Sequence, residues 1–203
     1  MKILHIDSSI LGDQSISRKL SGAVVHQLLK IDPGAAVTYR DLAGSPLPQF
    51  SATVAAGVYA ASDTDFQPSA DLAPLCDALT EVLDADVIVI GAPMYNLTIP
   101  SQLKSWLDAL AVPGKTFAYG SDGVKGLLGE KRVIIASSRG GFYGPESLSA
   151  GNEHQESYLR SFFGFLGVTR FEVIRAEGVR ISPEIAEQAL GDALLAVSNL
   201  EAA

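Results

Sequence analysis

The sequence contains a single cysteine, Cys76, which excludes an internal disulfide and any metal site built on several thiolates. Histidine is nearly as scarce. His5, His26 and His154 lie far apart with no ligand spacing, so no metal centre is expected. Positive charge is in deficit, with 15 Lys and Arg against 23 Asp and Glu and a net charge of −8. A chain of that sign attracts neither nucleic acid nor an anionic membrane, and neither is expected as a partner. A phosphate bound here must be held locally, by backbone N–H groups rather than by a basic surface. No run approaches the roughly 18 consecutive apolar residues of a membrane helix. Met1-Lys2 leads at once into a strand-like segment with no cleavable signal pattern. The expected setting is reducing and cytoplasmic.

What is present is apolar periodicity that alternates between strand and helix. With 203 residues, 47% of them hydrophobic, the chain is long enough for one well-buried domain and short for two, so 1–203 reads as a single domain. Ile3, Leu4 and Ile6 mark a strand over 2–7, and Leu20, Val24, Leu28 and Ile31 a helix over 17–31. Asp32-Pro33-Gly34 ends that helix, and 36–40 is a second strand. The segment 41–69, rich in Pro, Ala, Ser and Asp, holds a short helix near 52–60 and irregular chain elsewhere. From Asp71, the residues Leu72, Leu75, Cys76, Leu79, Val82 and Leu83 form one apolar stripe, on which Cys76 is expected to be inert. Val87-Ile88-Val89-Ile90 is β-branched throughout, the mark of a central parallel strand buried on both faces. A helix over 101–111, a hairpin over 116–127, a strand over 131–138, a helix over 153–166, a strand over 170–175 and a helix over 183–200 complete the chain. This alternation predicts an α/β, flavodoxin-like fold: a five-stranded parallel sheet of order 2-1-3-4-5 with helices on both faces. Ligands then belong outside the carboxyl ends of strands 1, 3 and 4, which selects the loops 8–17, 92–100 and 138–144.

Each loop has a functional and a structural reading. The first runs straight into a helix, whose free N–H groups and positive dipole end bind phosphate, with hydroxyls from Ser9, Ser15 and Ser17 as further donors. Alternatively, Ser15 or Ser17 merely caps that helix. No G-x-G-x-x-G or Walker pattern follows the strand, and the glycines and lysine of 123–131 precede a strand instead of a helix. In the second loop Pro93 and Pro100 bracket Met94, Tyr95, Asn96 and Leu97, large groups suited to one edge of a flat heteroaromatic ring. A packed turn over the sheet end is the competing reading. In the third, Ser138, Arg139, Gly140 and Gly141 bring paired glycine amides that suit the electron-accepting side of such a ring, or simply a flexible turn.

Taken together in order, these segments resemble the FMN-dependent NADH azoreductase family, which belongs with the flavodoxin-like NAD(P)H:quinone oxidoreductases. The resemblance rests on Ala92-Pro93-Met94-Tyr95-Asn96, on Ser138-Arg139-Gly140-Gly141, and on Ser9 with Ser15-Ile16-Ser17. It extends through Gln102-Leu103-Lys104, Gly114-Lys115-Thr116-Phe117 and Phe163-Gly164-Phe165-Leu166-Gly167 to Ala176-Glu177-Gly178, essentially the whole chain. It implies FMN as cofactor, with phosphate and ribityl contacts at Ser9, Ser15, Ile16 and Ser17. Ring contacts fall at Met94, Tyr95, Asn96, Leu97, Ser138, Arg139, Gly140 and Gly141. It further implies a ping-pong transfer of hydride from NADH, or NADPH, through FMN to a quinone or azo acceptor, with no catalytic acid or base named. A homodimer is implied as well, with Tyr119, Phe142 and Phe162 as candidates for the roof or wall of a substrate pocket. Two positions depart from the common family pattern: Ile16 stands where many members carry a polar residue, often Gln, and Leu97 where many carry Phe.

Three rivals follow from the same residues. A flavodoxin-type carrier would bind FMN but pass single electrons to proteins. A serine hydrolase would use Ser8 or Ser9, yet no G-x-S-x-G elbow and no late Asp/His pair is present. A non-catalytic nucleotide-binding module sits poorly with the apolar loop from Met94 to Leu97.

Overall fold

A computed structural model describes residues 1–60, 69–70 and 72–201. Part of the segment expected to be irregular, and Asp71, lie outside the described residues. The strands are β1 (Lys2–Asp7), β2 (Ala36–Asp41), β3 (Val87–Pro93), β4 (Phe117–Gly120), β5 (Gly123–Gly126), β6 (Arg132–Ser138) and β7 (Arg170–Ala176). β4 and β5 pair with each other as an antiparallel ribbon apart from the main sheet. The rest form one sheet of order β2-β1-β3-β6-β7, with every pairing parallel, which is the predicted 2-1-3-4-5 order once the ribbon is set aside.

The β-branched run lies at the sheet centre, and every residue of β3 is buried. Because strand side chains alternate between faces, the run feeds two cores. Val87 and Val89 join Ile3, Leu20, Val24 and Leu28 on the side of α1 (Ile16–Ile31) and α6 (Pro183–Ser198). Ile88 and Ile90 join Leu4, Ile6, Leu79, Trp106 and Phe163 on the other side. There they meet α2 (Ala52–Ala60), α3 (Ala73–Asp84), α4 (Ser101–Leu110) and α5 (Glu156–Phe165). On α3, Leu75, Leu79 and Val82 are buried as the stripe requires, whereas Leu83 is exposed. Cys76 is half-buried, and that burial pushes its thiol pKa up, away from reactivity. Among the described residues, no helix is long and apolar enough to cross a membrane.

Buried polar contacts fix the carboxyl end of the sheet. The Asp7 carboxylate accepts from Ser21 Oγ at 2.7 Å and from the Tyr39 hydroxyl at 3.1 Å, with Arg18 Nη1 3.8 Å away. It occupies the place where a side chain on Gly91 would start, so the neighbouring strand requires glycine there. Arg18 also ion-pairs with Asp41 at 2.6 Å and donates twice to the Ser9 carbonyl, at 3.1 and 2.8 Å.

At the same end of the sheet, after β6, Arg139, only 1% exposed, sits in a cage of carboxylates. Its Nη1 donates to Glu177 at 2.9 Å. Its Nη2 lies 2.7 Å from Glu156 and 3.1 Å from Glu153, ion pairs not aligned as hydrogen bonds. Its Nε reaches Gln155 Oε1 at 3.2 Å, and the Gln155 amide donates to the Ala92 carbonyl at 2.6 Å. One guanidinium thereby connects the ends of β3, β6 and β7 to the start of α5. The helix begins at Glu156 rather than at the expected Glu153 because the Glu153 carboxylate caps it, accepting from the N–H groups of Gln155, Glu156 and Ser157.

Gly91→Ala is expected to lower the unfolding free energy by about 3 kcal/mol, as an overpacked core site does, in a urea titration. Wild-type stability would show that Asp7 has room to move. A second expectation concerns acid. Burial opposes ionisation of Glu153, but the α5 N–H groups and Arg139 outweigh it and hold its pKa below the ordinary carboxylate value. A depressed folded-state pKa stabilises the protein above the unfolded value and loses that effect as pH falls through the folded one. The urea midpoint should therefore start to fall as the pH drops below about 4.5. In Glu153→Gln the fall should be shallower; an unchanged profile would remove Glu153 from the acid response.

Candidate functional site

The first loop leaves β1 pinned. Ser8 is fully buried and donates to the Gly91 carbonyl from both Oγ (2.7 Å) and N (3.2 Å). After a single 3-10 turn at Gly12–Gln14, Ser15 caps α1 by accepting from Arg18 N at 3.2 Å. The first helical bond runs from Lys19 N to Ser15 O, so the N–H groups of Ile16 and Ser17 have no intrahelical acceptor. Ser15 and Ser17 also share a 3.0 Å hydroxyl contact. The cap reading thus holds for Ser15, while the two amides stay free of any intrahelical acceptor.

The second loop is a two-residue turn. Tyr95 N donates to Thr98 O at 2.9 Å and Thr98 N to Tyr95 O at 3.1 Å, with Asn96 (φ 48) and Leu97 (φ 73) both left-handed. This is the tight hairpin geometry that normally selects Asn and Gly. At Leu97 it costs about 1–2 kcal/mol, and strain of this kind clusters at functional sites. Met94 N donates to Ser138 O at 2.8 Å, which joins this loop to the third. The Tyr95 hydroxyl lies 3.2 Å from Ser9 Oγ and accepts from Ile10 N at 3.2 Å, which joins it to the first.

The third loop is not a flexible turn. Its carbonyls at Arg139, Gly140 and Gly141 accept from Val179, Arg180 and Gly178 at 3.1, 3.1 and 3.0 Å. Among the described residues, the N–H groups of Gly140 and Gly141 meet no acceptor. The Arg139 side chain turns into its acidic cage and leaves only main chain for the outer side.

Two cavities result. A cleft of about 360 Å³ is lined by Ser9, Ser15, Ile16, Met94, Tyr95, Ser138 and Gly140, all of them singled out by sequence. Leu11, Gln14, Val179 and Arg180, which sequence reasoning passed over, complete its wall. A second cavity of about 560 Å³ shares the Tyr95 wall and is bounded by Asn96, Ile99, Pro100, Lys104 and Tyr158. The remaining candidates fall elsewhere. Ser17 and Arg139 are buried and, like Leu97 and Gly141, line neither cavity. Tyr119 is exposed on the ribbon against Phe117, Phe142 is half-exposed, and Phe162 packs on Tyr158 and Phe163. None of the three borders either cavity within this chain. Val179 and Arg180 follow the last strand, which the switch-point rule does not select; the glycine at 178, with φ 75, was the available signal that the chain turns there.

A hydrolase is not built here. Among the described residues, the histidine ring in hydrogen-bond contact with a serine hydroxyl is His5, whose Nε2 lies 3.0 Å from Ser21 Oγ, with the Asp7 carboxylate 3.6 Å away. Ser21 is fully buried and donates to Asp7 directly, so it is closed to any ester. Ser8 is spent on Gly91 and Ser9 on Tyr95, with no histidine on either.

The comparisons with known proteins agree with this geometry. A family model described as the flavodoxin-like fold matches residues 1–200. The FMN-dependent NADH:quinone oxidoreductase 2 of Bradyrhizobium diazoefficiens is 51% identical over 204 residues, covering 100% of both chains. An FMN-dependent NADH:quinone oxidoreductase of Methylorubrum extorquens (strain PA1) is 50% identical over 205 residues, again with 100% of each chain covered. Among solved structures, an azoreductase from Bacillus anthracis str. Sterne superimposes with a TM-score of 0.85 at 30% identity, covering 98% of this chain and 100% of that one. By its strand order and by these full-length matches, the chain belongs to the flavodoxin-like-fold family that includes these oxidoreductases.

Proposed function

We propose that this chain is an FMN-dependent oxidoreductase that passes hydride from NADH to a quinone or azo acceptor. The observation that carries the reading is the convergence of three loops on one cleft, each bringing a different kind of group. The free amides at Ile16 and Ser17, with the Ser9 and Ser15 hydroxyls, suit a phosphate dianion in a chain that lacks a basic surface. Met94 and Tyr95 offer the apolar flank that a flat heteroaromatic ring needs. The unpaired amides of Gly140 and Gly141 suit the ring edge that gains negative charge on reduction. These features fit FMN, which would supply the two-electron hydride chemistry when bound. The protein's part is to orient, to exclude water and to stabilise charge, and no side chain need act as an acid or base. Leu97 belongs to the frame of this site, Asn96 to the wall of the adjoining cavity, and Ser17 and Arg139 act through their main chain.

The adjoining 560 Å³ cavity favours an enzyme over an electron carrier, because it leaves room beside the ring for a small planar reactant. A single such space used in turn by donor and acceptor gives ping-pong kinetics. A homodimer, with the exposed Tyr119 and Phe142 reaching a partner's cleft, and a cytoplasmic location complete the proposal.

Protein reconstituted with FMN should be yellow, bleach in one two-electron step on anaerobic addition of NADH, and recover on addition of a quinone. One-electron reduction with no steady-state turnover would identify a carrier instead, and a colourless protein unable to take up FMN would overturn the whole reading. Ser15→Asp tests the phosphate position, because Asp caps a helix as well as Ser does while placing a negative charge at the cleft wall. FMN affinity should fall by roughly 100-fold, the scale of two like charges about 6 Å apart near a protein surface, with Ser15→Asn as the neutral control. Unchanged affinity in Ser15→Asp would move the phosphate away from α1.

A further inference from the structure

Among the described residues, Arg180 is the one charged side chain on the wall of the 360 Å³ cleft. Other arginines near this sheet end are consumed: Arg18 by Asp41, Arg139 by Glu153, Glu156 and Glu177, and Arg175 by Glu156. For Arg180, among the described residues, no carboxylate lies within ion-pair distance. A guanidinium without a carboxylate partner on the wall of a cleft, in a chain of net charge −8, is available to an anionic ligand group.

Its position selects which group. Arg180 lies just before α6, and α6 packs against the sheet on the same face as α1. Ile16, the first residue of α1, and Val179, the neighbour of Arg180, pack against the same core cluster. Together with Val179, Arg180 also shares the wall of the cleft with Ser15 and Ile16 at the α1 N-terminus. Its backbone is anchored, with Arg180 N donating to Gly140 O at 3.1 Å. Its stem lies over Gly140: a Cβ added there would come within 3.2 Å of Arg180 Cγ and 3.4 Å of Arg180 Cβ. A glycine at 140 thus leaves the lane along which the arginine extends.

We infer that Arg180 is a phosphate-binding residue of this cleft, pairing its guanidinium with the cofactor phosphate held at the α1 N-terminus, and so favours FMN over riboflavin. The inference rests on the FMN reading above. It also accounts for Ile16, which offers the phosphate a main-chain N–H but no side-chain donor. A guanidinium entering from the α6 side replaces that missing donor with a charged one. Arg180 is exposed, so its substitution leaves the buried network intact.

The test is binding to the apoprotein, read by quenching of flavin fluorescence, with FMN and riboflavin as separate probes. Arg180→Ala should weaken FMN by about tenfold, the low end for a charge-assisted hydrogen bond at a solvent-accessible site, and leave riboflavin unchanged. Arg180→Lys should recover part of the difference, and added salt should weaken FMN binding less in Arg180→Ala than in the wild type. If wild-type protein does not prefer FMN to riboflavin, the phosphate reading of α1 falls and this inference with it. If the wild type prefers FMN and Arg180→Ala prefers it equally, the inference alone is overturned. An effect confined to the KM of an anionic acceptor would also overturn it, by moving the guanidinium to the acceptor side.

Discussion

The arrangement at the carboxyl end of the sheet depends on the enclosure of the Arg139 guanidinium by Glu153, Glu156 and Glu177. A buried charge left without partners is among the most destabilising defects a core can hold, on the scale of 3–5 kcal/mol when one partner is removed. Its partners come from α5, from the residues leading into it and from the end of β7. The loop after β6 must therefore stay where these elements meet. Gln155 extends the hold to β3, since its amide bonds the Ala92 carbonyl while its oxygen receives Arg139 and Ser137. With three strand ends tied together, Gly140 and Gly141 cannot relax inward to satisfy their own amides. Among the described residues, those amides are left without an acceptor.

The same division of labour runs through the whole site. Arg18 spends its charge on Asp41 and its hydrogen bonds on the Ser9 carbonyl, so it braces the first loop from behind. Most of the fixed positive charge at this end thus serves as internal scaffolding, while the cleft presents backbone dipoles. For a net-negative chain this is an economical design. Guanidinium groups on the surface would be screened by salt, whereas helix-end and glycine amides are pre-oriented and need no reorganisation when an anion arrives.

Much of this was legible in the sequence, for reasons specific to the elements concerned. The run from Val87 to Ile90 has one comfortable place in an α/β fold, and once it is central the order of the other strands follows from the helices between them. The switch-point rule then selected three loops, and Ser9, Ser15, Ile16, Met94, Tyr95, Ser138 and Gly140 do meet at one cleft. The direction of the Arg139 side chain was not legible. Its carboxylate partners lie 14 to 38 residues away, and only tertiary packing brings them to it. Val179 and Arg180 were missed because the rule stops at the fourth strand of the sheet, although α6 carries the chain back beside α1. The aromatic candidates Tyr119, Phe142 and Phe162 came from the family resemblance, and a single chain does not test a role that depends on a partner.

Leu97 shows how a local penalty follows from these global ties. The turn at Asn96 and Leu97 has only two residues between the mutual bonds of Tyr95 and Thr98, which forces both into the left-handed region. A longer loop would spare Leu97 that strain. It would also free Tyr95, whose hydroxyl reaches Ser9 and the Ile10 amide and so sets the distance between the first and second loops. Thr98 is constrained on the opposite side, since its hydroxyl donates to the His154 carbonyl while His154 N donates to Leu97 O. The segment leading into α5 therefore grips the turn from one side and the first loop grips it from the other. Under those constraints the strained turn is the shortest link that keeps Tyr95 standing as the common wall of both cavities.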